Sequence, residues 1–150
     1  RPLPLYGDGR QVRDWLYVED HCRALDLLLH RGEPGEVYNI STGQLRTNLE
    51  VAQAVLVLLE KPASLIRFVA DRPAHDRRYA LDCGKLGRKF GWEARESFEQ
   101  GLRKAVGWYV AHPEWVEHVR DGAYREYYER HYTRREESLA AMLGRPSGKS

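Results

Sequence analysis

Two reciprocal capping pairs do most to limit how this chain can fold, because each fixes the start of a helix. In Thr47-Asn48-Leu49-Glu50, the threonine hydroxyl and the glutamate carboxylate each accept a hydrogen bond from the other residue's backbone N–H. Ser97-Phe98-Glu99-Gln100 has the same arrangement. The first pair predicts a helix over residues 48 to about 60, which Pro62 ends, and the second predicts a helix that continues until Pro113. The core stripe of the second helix is expected at Phe98, Leu102, Ala105, Val106 and Tyr109.

Glycine and proline divide the rest of the chain into short strands and further helices. Strands are expected at residues 3–6, 12–17, 37–40 and 65–69. Helices are expected over residues 18–30, 82–90 and 114–132, the first with apolar positions at Cys22, Leu25, Leu28 and Leu29. Aromatic residues around Trp108 and Trp115 have helical spacing and are expected in core or interdomain packing. Beyond Thr133 the sequence becomes polar and charged, so residues 133–150 are expected to form a disordered tail.

Composition argues against several kinds of partner. The 24 basic and 22 acidic residues give a formal net charge of +2, which is not the surface of a nucleic-acid binder. No stretch approaches the roughly 18 apolar residues of a membrane span, and the first residues contain no apolar signal region, so we expect a cytoplasmic protein. Cys22 and Cys83 are expected to be reduced. The six histidines lack zinc-binding spacing, and no metal is expected.

An anionic ligand with a flat ring needs guanidinium groups, a helix amino terminus and an extended backbone, and this sequence has candidates for each. Arg13 and Arg72 can grip a pyrophosphate through charge-assisted hydrogen bonds. Asn48 is the first residue of a capped helix, where unpaired backbone donors attract anions. The strand Leu3–Tyr6 offers backbone groups and an aromatic face. The alternative is that both arginines form salt bridges with Asp14, Asp71 or Asp76.

Six phrases of the sequence occur together in one group of enzymes. They lie at residues 3–9, 13–21, 36–40, 47–50, 71–82 and 91–93. They resemble the carboxy-terminal part of the dTDP-glucose 4,6-dehydratases, nucleotide-sugar enzymes of the extended short-chain dehydrogenase/reductase superfamily. The phrase at residues 13–21 is shared broadly by nucleotide-sugar epimerases, decarboxylases and dehydratases. His75-Asp76-Arg77-Arg78-Tyr79 is narrower and resembles the signature of the dehydratases.

The resemblance implies a substrate site. Pro4, Leu5 and Tyr6 would lie along the thymine ring and deoxyribose, and Arg13 and Asn48 would contact the diphosphate. The loop that would close over the nucleotide consists of Asp71, Arg72, Pro73, Ala74 and His75. Family members usually have glycine at the position of Ala74. If that position requires a positive φ angle, alanine strains the loop by about 1 kcal/mol.

The resemblance also implies a fold, and it implies that substrate and NAD bind to different halves of the enzyme. We expect a mixed α/β substrate-binding domain over residues 1–132, with short strands and several helices, lacking the amino-terminal Rossmann half. NAD is expected on that absent half, because the chain has no glycine-rich Rossmann turn and no Tyr-x-x-x-Lys pair. We therefore expect no catalytic residue, no bound cofactor and no activity from this piece of an enzyme.

The expected partners of this chain are a dTDP-sugar, a Rossmann domain in cis or trans, and a second copy in a homodimer of the intact enzyme. In the family, the face that includes residues 27–29 would pack against the nucleotide-binding half. Two alternatives stay open: a portion of another nucleotide-sugar epimerase or decarboxylase, and a non-catalytic nucleotide-sugar binding module.

Overall fold

The structure is a computed structural model that describes residues 2–71, 73–120 and 122. The chain divides into two compact units, residues 1–107 and residues 108–150. The described strands are β1 (Leu3–Tyr6), β2 (Val12–Asp14), β3 (Leu45–Thr47) and β4 (Ile66–Val69). The described helices are α1 (Val18–Arg31), α2 (Asn48–Leu58), α3 (Gly84–Phe90), α4 (Phe98–Ala111) and α5 (Pro113–Arg120), with a short 3₁₀ turn at Ala63–Leu65. The predicted mixed α/β fold with short strands and several helices is confirmed.

The described strands form two small sheets. In the first, β1 pairs in parallel with β4, so that Leu3 lies opposite Ile66 and Tyr6 opposite Val69. In the second, β2 pairs antiparallel with β3, with Val12 opposite Thr47. An isolated parallel bridge joins Val12 to Arg78 on the other side. The β2 segment therefore lies between β3 and the loop that follows β4.

Helix α2 begins and ends through local hydrogen bonds. The Thr47 hydroxyl accepts from the Glu50 N–H at 3.1 Å, and the Glu50 carboxylate accepts from the Thr47 N–H at 2.6 Å, which confirms the capping pair. The helix ends at Leu58, before the predicted residue 60, because Glu60 adopts a left-handed φ of 54°. The N–H groups of Glu60 and Lys61 then bond back to the carbonyls of Val57 and Leu56, as in a Schellman motif.

The second capping pair is also present, at the start of α4. Ser97 N–H donates to Gln100 Oε1 at 2.9 Å, and Gln100 N–H donates to Ser97 Oγ at 3.2 Å. Phe98 is buried as predicted, but the buried residue one turn later is Gly101, where a Cβ would lie 2.9 Å from Tyr17 Cβ. Tyr109 is not a core residue, because it is 52% exposed.

The buried face of α1 differs from the predicted one. Asp20 and Ala24 are buried, and Leu27 and Leu28 pack on the core cluster of Ala24, Leu86 and Trp92. The predicted positions Cys22, Leu25 and Leu29 are exposed, Leu29 by 82%. Asp20 faces inward because its carboxylate accepts hydrogen bonds from the backbone N–H groups of Arg95 and Glu96. The segment around Trp92 thus selects the buried face of α1.

Two strand predictions need correction, and one strand was not predicted. The strand predicted over residues 12–17 ends at Asp14, whose carboxylate accepts hydrogen bonds from Thr42 and Gly43. Residues 37–40 form no strand, since no other described segment pairs with them. Strand β3 was missed, because Leu45–Thr47 has no alternating apolar pattern.

Helix α3 begins two residues later than predicted and ends where predicted. The Asp82 carboxylate accepts from the Gly84 N–H at 2.8 Å, so Asp82 precedes the helix instead of opening it. Gly91 ends the helix in the left-handed conformation, with a φ of 67°. This confirms Gly91 as the carboxy-terminal capping residue.

The second unit contains an aromatic cluster. Trp108 stacks on the His112 ring with centroids 4.4 Å apart and meets Tyr109 and Trp115 edge-on. Trp108 and Trp115 remain 44% and 45% exposed, so they are not core residues of the described chain. The predicted helix over residues 114–132 is described only to Arg120, and the predicted tail over residues 133–150 lies outside the described residues. Among the described helices, none is long and apolar enough to cross a membrane.

Candidate functional site

Several of the predicted site residues lie in the segment from Asp8 to Asp14 or bond to it. On one side, the carbonyls of Gly9 and Gln11 accept hydrogen bonds from the first N–H groups of α2, at 2.9 and 3.0 Å. On the other side, Val12 N–H donates to the Arg77 carbonyl at 2.8 Å, and Tyr79 N–H donates to the Val12 carbonyl at 3.0 Å. This segment therefore fixes the start of α2 and the loop after β4 relative to each other.

An exposed ion pair joins Asp8, at the start of this segment, to Arg77 in the loop after β4. Both terminal nitrogens of Arg77 donate to the Asp8 carboxylate, at 2.8 and 3.1 Å, which is the forked geometry of a strong arginine–carboxylate pair. The Arg77 side chain, helped by the backbone N–H of Arg10, lowers the pKa of the Asp8 carboxyl to about 2. Asp8 is therefore ionised at all but very acid pH.

Arg13 is held in place without a carboxylate. Its guanidinium donates to the carbonyls of Val12 and Asp76, at 2.8 and 2.9 Å, and lies over the Tyr79 ring at 4.5 Å from the centroid. No salt bridge joins Arg13 to any described carboxylate, so the salt-bridge alternative does not apply to it within the described chain. The Asp14 carboxylate instead accepts hydrogen bonds from the Thr42 hydroxyl and the Gly43 N–H. Arg13 is thus half-buried, oriented and free of a neutralising partner among the described residues.

The loop predicted to close over the nucleotide is joined to β1. His75 Nδ1 lies 2.6 Å from Asp71 Oδ1, a hydrogen bond in which the imidazole N–H donates. The His75 ring meets the Tyr6 ring edge-on, with centroids 6.3 Å apart. Gly7 lies directly beneath the Asp71 carboxylate, since a Cβ at Gly7 would be 2.7 Å from Asp71 Oδ2. The structure therefore brings Tyr6, Asp71 and His75 together.

The remaining predicted residues differ in exposure. Pro4 is exposed on the same face as Tyr6, whereas the Leu5 side chain is buried on the opposite face. Pro73 is exposed. Arg72 lies outside the described residues. Ala74 has a φ of 53°, so alanine does occupy a left-handed position, at a cost of about 1 kcal/mol.

The reason given for Asn48 needs correction. The backbone donors at the start of α2 were expected to be unpaired, but Asn48, Leu49 and Glu50 donate to Gln11 O, Gly9 O and Thr47 Oγ1. The helix start therefore has no free donor at these three positions. Asn48 can contribute only through its half-buried side chain.

Sequence reasoning missed Asp8, Gln11, Arg77 and Tyr79 as parts of the site. Gln11 is 1% exposed, and its Nε2 donates to Asp71 Oδ2 at 3.1 Å. The sequence carries no signal for this role, because the burial of Gln11 and its partner sixty residues later appear only in the fold.

Two groups of residues in the described part of the chain bear on metal and phosphate binding. No group of three or more His, Cys, Asp or Glu side chains in residues 2–71, 73–120 and 122 can hold a metal ion. Among the glycines near α3, Gly91 ends the helix and Gly87 packs near the Trp92 carbonyl, so neither leaves a cradle for phosphates.

The family model for GDP-mannose 4,6 dehydratase matches residues 1–105, more than half of the chain. The chain belongs to the GDP-mannose 4,6-dehydratase family. The predicted resemblance to dTDP-glucose 4,6-dehydratases is confirmed as well. The enzyme of that name from Salmonella typhimurium is 48% identical over 143 residues, which are 91% of this chain and 40% of the Salmonella protein.

Solved structures of this family agree with the sequence match. The dTDP-glucose 4,6-dehydratase from Bacillus anthracis, in complex with NAD, is 50% identical with a TM-score of 0.73, covering 77% of this chain and 36% of that one. The enzyme of the same name from Streptomyces venezuelae, also with NAD bound, is 45% identical with a TM-score of 0.73, covering 76% and 35%. The chain thus spans well under half of these relatives.

The Asp8–Arg77 pair generates a prediction about acid stability. The pKa of Asp8 falls from an unfolded value of 3.8 to about 2 on folding, so its stabilisation is complete above the unfolded pKa and is lost as the pH falls through the folded one. Asp8→Asn should therefore lower the free energy of unfolding at neutral pH, and the difference from the parent should vanish as the pH approaches 2. Urea unfolding followed by tryptophan fluorescence measures both.

The matched control is Glu117→Gln, which removes an exposed carboxylate on α5. Its difference from the parent should show no such decline in acid. A difference between Asp8→Asn and the parent that persists unchanged down to the acid limit would contradict the role of this pair.

Proposed function

We propose that this chain is the substrate-binding portion of a dTDP-glucose 4,6-dehydratase, an enzyme that converts dTDP-glucose to dTDP-4-keto-6-deoxyglucose with loss of water. The names of its relatives support the reaction, and the geometry around Arg13 supports the binding role. In this proposal Pro4, Leu5 and Tyr6 lie along the thymine ring and deoxyribose, and the loop from Asp71 to His75 closes over the nucleotide.

The observation that carries the proposal is the state of Arg13. Its guanidinium is fixed by two carbonyls and by the Tyr79 ring, while its charge has no carboxylate partner among the described residues. A half-buried cation is costly unless an anion compensates it. The backbone of Asn48 lies beside this segment, because its N–H donates to the Gln11 carbonyl and it follows Thr47, which pairs with Val12. A diphosphate beside Arg13 would supply the missing charge.

Arg13→Ala should weaken dTDP binding to the intact chain by about ten- to more than a hundredfold. The physical reason is the loss of one charge-assisted hydrogen-bonding group, worth roughly 1.5 to 3 kcal/mol. The same loss is expected for Arg72→Ala. Isothermal titration calorimetry measures both, and Arg120→Ala on α5 is the control for loss of one positive charge elsewhere.

Equal dTDP affinity in Arg13→Ala and the parent, with Arg13→Ala still folded, would remove Arg13 from the site. Titration with UDP tests the first alternative: tighter binding of UDP than of dTDP would favour another nucleotide-sugar epimerase or decarboxylase.

We further propose that NAD and the catalytic groups belong to a Rossmann half that this chain does not contain. No tyrosine of the sequence has a lysine four residues later, and no glycine-rich Rossmann turn is present. This chain would then contribute binding and positioning of the dTDP-sugar only, and NAD would supply the oxidation and the returned hydride from the other half.

The purified chain should therefore show no turnover of dTDP-glucose, even with NAD added. The reason is that the groups for proton and hydride transfer are missing from its sequence. Chromatographic assay for the 4-keto-6-deoxy product measures this, with an intact dTDP-glucose 4,6-dehydratase as the positive control. Product formed by the purified chain would overturn this part of the proposal.

Two features of the first unit support docking of a Rossmann half in cis or trans. The face of α1 away from the core exposes Leu25 by 49% and Leu29 by 82%. Beside it, a groove lined by Leu28, Leu29, Val37 and Tyr38 leads to residues 37–40, whose strand-like sequence has no strand partner in the described chain. A neighbouring sheet edge would pair this backbone and cover both leucines.

We expect the isolated chain to self-associate through this face, because a stable soluble monomer rarely exposes an apolar patch of more than a few hundred Å². Light scattering across a concentration series should show growth in mass. Leu29→Glu should reduce it, whereas Val57→Glu, at a similarly exposed position on α2, should not.

A monodisperse, cooperatively unfolding monomer would instead favour the second alternative, a non-catalytic nucleotide-sugar binding module. Association that Leu29→Glu leaves unchanged would show that another surface is responsible.

A further inference from the structure

We propose that Gln11 is a positioning residue of the nucleotide site, which holds Asp71 and, through Asp71, the His75 ring in place relative to the start of α2. This inference rests on the proposed function and adds a residue that none of the family phrases assigned to the site.

The burial of Gln11 sets it apart from an ordinary surface glutamine. It is 1% exposed, and with Leu86 and Asp20 it is among the largest fully buried side chains of the described residues. A buried amide is retained where its hydrogen bonds matter, since an apolar side chain of similar size avoids the cost of desolvation. Gln11 Oε1 has no hydrogen-bond partner among the described residues, so the described contact of this amide is made by Nε2.

That contact leads directly into the predicted loop. Gln11 Nε2 donates to Asp71 Oδ2 at 3.1 Å, and the other oxygen, Asp71 Oδ1, accepts from His75 Nδ1 at 2.6 Å. The two oxygens of one carboxylate thus join a buried amide to an imidazole. Asp71 is 43% exposed while the His75 side chain is only 5% exposed, so the buried Gln11 amide holds the carboxylate from its inner side, and the carboxylate holds the imidazole.

The backbone of Gln11 connects to the other side of the site, at the start of α2. Its carbonyl accepts from the Asn48 N–H at 3.0 Å, so the same residue fixes the first residue of α2. Asn48 and His75 come from segments that are far apart in the chain, and Gln11 bonds to one directly and to the other through Asp71. It therefore sets the spacing between the predicted diphosphate side and the predicted nucleotide loop.

Gln11→Met tests this role, because methionine fills nearly the same volume but cannot donate to Asp71. We expect dTDP affinity, measured by calorimetry on the 150-residue chain, to fall about three- to tenfold, the effect of one net hydrogen bond on the closed loop. Gln44→Met is the matched control. Gln44 is also held by side-chain hydrogen bonds, to Glu96 O and from Phe98 N–H, but these lie at the start of α4. Gln44→Met should lower stability and leave dTDP affinity unchanged.

A second measurement needs no ligand. Diethyl pyrocarbonate modifies accessible imidazoles, and peptide mass spectrometry gives the rate at each histidine. In Gln11→Met the rate at His75 should rise about three- to tenfold, because the loop opens more often without its anchor. The rate at exposed His118 in the same molecules should not change, and Gln44→Met should not change the rate at His75.

An unchanged His75 rate in folded Gln11→Met overturns the proposal, as does unchanged dTDP affinity in a parent that binds dTDP. If Gln11→Met does not fold, Gln11→Asn decides by the same criteria, since it keeps an amide but is one methylene too short. If the parent itself fails to bind dTDP, the proposed function fails, and the His75 rate alone then supports or overturns the positioning role of Gln11.

Discussion

The segment from Asp8 to Asp14 is the constraint on which the rest of the site depends. The backbone of this segment forms hydrogen bonds on both sides. On one side it bonds to β3 and the start of α2, and on the other side it bonds to residues 77–79. Neither flank pairs with the other directly among the described strands, so this segment connects them. Side-chain hydrogen bonds strengthen the connection to the loop after β4: Arg77 donates to Asp8, and Gln11 donates to Asp71.

Two inward-facing carboxylates hold the remaining parts of the first unit together. Asp14 accepts hydrogen bonds from Thr42 and Gly43, and Asp20 accepts them from Arg95 and Glu96. Burial would raise the pKa of Asp20, but the Arg23 side chain and the two backbone N–H groups outweigh it and lower that pKa. Hydrogen bonds to a charged group contribute roughly 1.5 to 3 kcal/mol each, so these carboxylates add to the apolar packing of the neighbouring Ile40, Trp92 and Ala94.

The sequence predicted what depends on near neighbours. Both capping pairs involve residues three apart, and their hydrogen bonds occur as expected because no distant segment is needed to form them. The end of α3 at Gly91 is equally local. The buried face of α1 was predicted wrongly for the opposite reason: the choice between Leu25 and Ala24 is made by Leu86 and Trp92, more than sixty positions away.

In the candidate site, too, the sequence predicted some residues and could not predict contacts between distant segments. The phrases that resemble the family identified Arg13, Tyr6, Asp71 and His75, and the structure brings the last three together. They could not show that the N–H groups at the start of α2 are already paired, because the acceptors come from Gly9 and Gln11. Nor could they show Gln11 as an anchor, since its partner lies sixty residues later in the sequence.

The two sides of the site differ in how firmly they are held, and this difference bears on function. The Arg13 side is fixed by strand pairing and by two backbone carbonyls of this chain. The loop side contains Ala74 in a left-handed conformation that costs about 1 kcal/mol, and it is held by side-chain contacts at Asp71 and Arg77. A strained loop on a few contacts opens more easily than a paired strand does. Substitutions in the loop should therefore tune how tightly the site closes, whereas substitutions around Arg13 should decide whether an anion binds at all.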